Sequence, residues 1–164
     1  GGRNCAVIGF YHSGYERKLL DMLRARGCDA GLAIKGEEGT THYGLRLGKA
    51  SDAQRRAINY TEGFCGMRTW AEDVQPLDFG IVYEQSPRAS EISAAAFAQE
   101  GMAALGGERG SAYDRIVLSV GVVDYYLGFC DSAGEGVEQA RHALDDGSAR
   151  CALTRYIEAT HSVD

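Results

Sequence analysis

Lys35-Gly36-Glu37-Glu38-Gly39, with His42 just beyond, is the stretch of this chain whose residue types and spacing best suit ligand chemistry. The two glycines permit a tight backbone path, and the lysine attracts an anion that the glutamates repel unless a cation bridges them. Lys35, Gly36, Glu37, Glu38, Gly39 and His42 are therefore the expected ligand-binding residues. The bland reading of the same residues is a glycine-flanked, solvated turn. No residue is assigned a catalytic role.

The other candidates are weaker. Gly9-Phe10-Tyr11-His12-Ser13-Gly14 has the glycine spacing of a phosphate loop, but Tyr15-Glu16 stand where its lysine and hydroxyl should be. Free amides at the following helix start offer an anion site, set against an ordinary strand-to-helix turn. Nothing in the spacing brings His42 to Cys65 as an imidazole–thiol pair, and a structural cysteine is the simpler reading. His12, His142 and His161 read as surface or capping residues, and Gly106-Gly107-Glu108-Arg109-Gly110 as a helix connection. Arg46, Lys49, Arg55 and Arg56 could neutralise a phosphate or line a solvated strand edge.

The elements that must position these residues follow from periodicity. Apolar runs at Cys5–Gly9 and Ala30–Ile34 flank a helix with Tyr15, Leu19, Met22 and Leu23 at helical spacing, closed by Gly27. This predicts a βαβ unit, with residues 5–9 and 30–35 as adjacent parallel strands. Alternation at Tyr43, Leu45 and Leu47, followed by Ala57-Ile58-Asn59-Tyr60, predicts a hairpin or paired edge strands within Tyr43–Gly63. After Pro76 the chain reads as helical. Ser86-Pro87 would open a helix through Ala89–Leu105, and residues 113–127 are expected to form the most buried helix. Ser132 and Glu135 have capping-box spacing before a Val137, Ala140, Leu144 stripe; Ser148 would cap a last helix facing inward through Ala149, Leu153, Tyr156 and Ile157. The predicted class is α/β: a three-layer domain with a mostly parallel sheet, a β-hairpin insertion and a helical carboxyl-terminal third.

With 164 residues, 45% of them hydrophobic, residues 1–164 are expected to form one domain. A net charge of −6 disfavours nucleic acid as a partner, because non-specific binding rests on basic residues. Cys5, Cys28, Cys65, Cys130 and Cys151 are odd in number and widely spaced, which suits reduced thiols and a cytoplasmic location. No apolar run approaches the ~20 residues of a membrane span.

One ordered set of short motifs remains. Asp114-Arg115-Ile116-Val117-Leu118-Ser119, Tyr126-Leu127-Gly128, Gly136-Val137-Glu138-Gln139-Ala140-Arg141 and Asp146-Gly147-Ser148-Ala149 follow Val7-Ile8-Gly9, Ala33-Ile34-Lys35-Gly36 and Pro76-Leu77-Asp78-Phe79-Gly80. In this order they resemble the carboxyl-terminal part of the anthranilate phosphoribosyltransferase family, glycosyltransferase family 3, over roughly residues 5 to 161. The resemblance implies transfer of a phosphoribosyl group from its pyrophosphate to a nitrogen nucleophile, with magnesium on the leaving group. It also implies that a missing amino-terminal helical region of the same protein completes the site, so that the chain alone is inactive. The similar loop of that family carries an Asp-Glu pair for magnesium where Thr41 and His42 stand here. No metal-ligating residue is therefore assigned, and magnesium is expected only with a small phosphorylated ligand. A homodimer is left open. The alternative is a divergent, noncatalytic relative that binds a ligand or nucleic acid.

Overall fold

A computed structural model describes residues 2–45, 59–83 and 93–161. Arg46, Lys49, Arg55, Arg56, Ala57, Ile58, Ser86, Pro87 and Ala89 lie outside these residues, as does the side chain of Glu38.

The chain opens with β1 (Cys5–Gly9), α1 (Glu16–Ala25) and β2 (Ala30–Ile34). The two strands pair in parallel, from Cys5 opposite Ala30 to Gly9 opposite Ile34, as the apolar runs predicted. Helix α1 turns Leu20 and Leu23 inward, while Met22, expected on that face, is exposed. Every residue of β2 is buried, because both of its faces are covered. Its side chains alternate: Ala33 packs with Leu20, Leu23 and Phe64 under α1, whereas Leu32 and Ile34 join the larger cluster built around Val117, Leu118 and Val122.

Next come β3 (Tyr60–Cys65) and β4 (Arg68–Asp73), which extend the sheet in the order β1-β2-β3-β4. Both added pairings are antiparallel, so the sheet is mixed where a mostly parallel one was expected. The described hairpin begins inside the Tyr43–Gly63 window, at Tyr60, and ends at Asp73; Leu47 and the rest of residues 46–58 lie outside the described residues. Gly66 at φ 58° and Met67 form a two-residue turn between the paired Cys65 and Arg68. Among the described part of the expected window, Tyr43 and Leu45 are fully buried yet outside any strand.

The remaining helices are α2 (Ala94–Leu105), α3 (Ser111–Leu127), α4 (Ala133–Asp145) and α5 (Ser148–His161). Helix α3 supplies more buried residues than any other described helix, among them Tyr113, Val117, Leu118, Gly121, Val122 and Tyr126. It crosses α4 where Gly121 meets Gly136 and Val137, so closely that backbones touch. Ser132 caps α4 by accepting from the Glu135 amide at 3.1 Å, while the Glu135 carboxylate accepts from the Asp131 amide at 2.9 Å. The expected inward face of α5 is not formed: none of its residues is buried, and Tyr156 and Ile157 are exposed. Ala149 alone of that stripe packs against the core cluster. With α1 on one face of the sheet and α3 and α4 on the other, the arrangement is three-layered, with a helical carboxyl-terminal part.

Candidate functional site

The carboxyl ends of β1 and β2 are where an α/β sheet presents its ligand-facing loops. Beyond β2 the chain forms a 3-10 turn, Glu37–Gly39, and folds back over the end of β1. Three glycines make this approach tight. A Cβ at Gly9 would lie 2.4 Å from the Gly39 carbonyl oxygen, and one at Gly36 would lie 2.2 Å from that of Thr40. Gly39, at φ 79°, takes a left-handed conformation against Tyr11.

The turn closes on itself. Glu37 N–H donates to the His42 carbonyl at 3.0 Å, Thr40 N–H to the Glu37 carbonyl at 3.0 Å, and the Thr40 hydroxyl to the same carbonyl at 2.8 Å. His42 N–H then donates to the Thr40 hydroxyl at 3.2 Å, leaving the His42 side chain at the surface.

Lys35 and Glu37 reach in different directions. Lys35 Nζ donates to Ser13 Oγ at 3.2 Å, joining the loop to the first strand-to-helix turn. The Glu37 carboxylate pairs with Arg115 on α3 at 3.5 Å. Arg115 is mostly buried, and its Nε has no hydrogen-bond partner among the described residues. Beside it, the Tyr83 hydroxyl donates to Asp114 at 2.8 Å; burial first, and then the Asp114 carboxylate, push this phenol up to about 12. Gly14 N–H donates to the carboxylate of buried Glu16, which brings negative charge to the place where an anion would have to sit.

Ser13, Arg115, Ser119 and Asn59 were not singled out from the sequence. Ser119 Oγ accepts from the Tyr43 amide at 3.2 Å. Asn59, at φ 75°, grips Gly44 through both of its backbone groups, at 2.7 and 2.8 Å. Arg115 and Ser119, a turn apart among the apolar residues of α3, were the available signal.

The remaining candidates are dispersed. Cys65 lies at the other end of the sheet from His42, where Arg3 donates to its sulfur at 2.9 Å. It borders an open groove of about 780 Å3 at the amino-terminal ends of β1 and β2, lined by Arg3, Arg24 and Met67. No group of three His, Cys, Asp or Glu residues suited to a metal is found among the described residues. In the loop, Thr41 and His42 supply no carboxylate oxygen, and Glu37 is engaged with a guanidinium. A hard cation would need oxygens from a ligand. Among the described residues no helix is long and apolar enough to cross a membrane.

Comparison with known proteins gives one consistent answer. No family model matches the chain. Among curated proteins, it is 34% identical over 159 residues to the anthranilate phosphoribosyltransferase of Dechloromonas aromatica, covering 94% of this chain and 42% of that one. It is 33% identical to the enzyme of the same name from Stenotrophomonas maltophilia, and 27% to that of Xanthomonas oryzae pv. oryzae, each over 161 residues, 96% of this chain and 43% of the relative. Among solved structures, anthranilate phosphoribosyltransferase from Thermus thermophilus superposes with a TM-score of 0.60 at 21% identity, over 92% of this chain and 41% of that one. The fold is thus shared, and the chain spans less than half the length of the relatives it matches.

Proposed function

Because this chain is similar along nearly its whole length to anthranilate phosphoribosyltransferases, we infer that it is the α/β portion of a phosphoribosyltransferase-like protein. In this reading the 35–42 loop is its ligand-facing edge. The observation that carries the reading is the loop itself, folded over the end of β1 by Gly9, Gly36 and Gly39 at the carboxyl edge of the parallel pair. In the transfer, a nitrogen nucleophile bonds to the anomeric carbon as the bond to pyrophosphate breaks, and negative charge grows on the leaving group. Fixed cations and donors favour that change by stabilising the charge as it develops. Among the described residues Lys35, steadied by Ser13, is a cation at that edge. A magnesium ion held by the phosphates of the ligand would neutralise charge that Glu37 and Glu38 repel. We place residues 1–164 in one domain, in the cytoplasm, with the remaining length of such a protein as its partner.

Binding is tested by adding phosphoribosyl pyrophosphate with magnesium to the chain and following backbone amide signals. Shifts confined to residues 9–14 and 35–42 are expected, whereas shifts centred on Arg3 and Cys65 would overturn the assignment. Magnesium alone is expected to bind weakly, and Glu38→Gln to leave its titration unchanged. Saturable micromolar binding lost in Glu38→Gln would reverse the metal-poor reading.

Catalysis by the chain alone is expected to be absent, since positioned groups around the pyrophosphate supply most of such a rate. Pyrophosphate release from phosphoribosyl pyrophosphate, anthranilate and magnesium should match a protein-free blank. Robust turnover would show that the site is complete. Thr41 and His42, in place of an acidic pair, support a second reading as a noncatalytic binding relative. Ligand binding that persists when the remaining length of such a protein is supplied, still without turnover, would favour it.

A further inference from the structure

We propose that α3 sets the shape of the 36–45 segment through Arg115 and Ser119, making them positioning residues for the ligand-facing loop. The proposal rests on the functional reading above only for the statement that this loop meets the ligand. Arg115 and Ser119 lie four residues apart, on one face of the most buried helix. Each reaches a different point of the segment. Arg115 pairs with the Glu37 carboxylate at 3.5 Å, at the start of the 3-10 turn. Ser119 Oγ accepts from the Tyr43 amide at 3.2 Å, where the segment enters the core. Between these points Glu37 N–H donates to the His42 carbonyl and Thr40 N–H to that of Glu37. At the far end Asn59 holds Gly44 and the Tyr43 hydroxyl meets that of Thr61 at 3.0 Å.

Helix α3 is suited to this task because it cannot easily yield. Val117, Leu118 and Val122 anchor it in the main core, and its contact with α4 is backbone on backbone at Gly121. A loop referred to such a helix inherits its rigidity, which lowers the ordering cost that ligand binding must meet. A charged guanidinium this deeply placed also has a reason to be there. An apolar residue in its place would pack well but would lose the pairing with Glu37.

Amide hydrogen exchange on the full 164-residue chain tests the assignment without any ligand. Arg115→Gln is expected to speed exchange at Glu37 and Thr40, and Ser119→Ala at Tyr43, each about tenfold, the effect of losing one modest polar contact. Amides of Leu32, Ala33 and Gly63 should keep their wild-type protection, and Arg115→Lys should return the Glu37 and Thr40 rates to within about threefold of wild type. Acceleration spread equally over β2 and β3, or no acceleration in the loop, would overturn the proposal. A titration with phosphoribosyl pyrophosphate and magnesium then separates the two readings. Affinity falling about tenfold in Arg115→Gln and recovering in Arg115→Lys supports positioning of a binding loop. If the wild-type chain shows the exchange pattern but binds nothing, the clamp stands and the ligand reading falls.

Discussion

Gly121→Val should unfold the carboxyl-terminal helices or cost the chain a large share of its stability, on the order of 4 kcal/mol against a total of about 5–15. A Cβ at Gly121 would lie 2.4 Å from Val137 N and 2.5 Å from Val137 Cα, both backbone atoms that no rotamer change can move. Relief requires α3 and α4 to separate, which would unpack Val122, Val137 and Leu144 from the same cluster. Even Gly121→Ala should destabilise, although alanine favours a helix over glycine by about 1 kcal/mol. Overpacking of this kind costs about 1–3 kcal/mol, so the steric term wins. Gly101 supplies the control. It lies within α2 with open space around it, and Gly101→Ala should stabilise by up to about 1 kcal/mol. Urea unfolding of the two alanine variants should give shifts of opposite sign; shifts of the same sign would show that the helix crossing is looser than described.

Asn59→Ala should be the other severe change, at about 4 kcal/mol. Asn59 is 1% exposed and satisfies the Gly44 N–H and carbonyl together, at 2.7 and 2.8 Å. Alanine leaves both groups buried and unmatched, at about 1–3 kcal/mol each. It must also hold φ 75°, where asparagine is at ease and alanine loses about 1 kcal/mol. Asn59→Gly separates the two causes, since glycine accepts the dihedral but makes neither hydrogen bond. Its midpoint in thermal unfolding should lie between those of the wild type and Asn59→Ala. Asn59→Asp keeps the acceptor but sets a carboxylate against the Gly44 carbonyl, and should be no more stable than alanine. An aspartate variant as stable as wild type would mean that the donor half of the staple carries nothing.

What could be read from the sequence was what depends on local pattern. The parallel pair β1 and β2, the burial of α3 and the Ser132 cap all follow from runs, periodicity or spacing within a few residues. Two kinds of feature escaped. Alternation at Tyr43 and Leu45 imitated a strand, but those residues are buried because α3 and Asn59 draw the segment inward, a long-range effect. The true second arm of the hairpin, Arg68–Asp73, is largely exposed and lacks an apolar stripe, so only its Gly66 turn marked it. In the loop, Lys35 and Glu37 were visible as candidates; their partners Ser13 and Arg115 were not, because neither partner is close in sequence. The apolar stripe of α5 misled in the opposite direction: an amphipathic pattern shows that a face is able to be buried, and Tyr156 and Ile157 are exposed.

The close approach of Gly9, Gly36 and Gly39 also sets terms for how this loop can change over time. At Gly9 and Gly36 a side chain meets backbone from another part of the same turn, and at Gly39 the dihedral itself resists one. These positions are closed to exchange unless the whole path is redrawn. Lys35, Thr41 and His42 already carry side chains on this path. On the proposed reading the loop is therefore a fixed frame with replaceable fittings, able to alter what it binds through residues such as Thr41 and His42 while keeping the shape that its glycines impose.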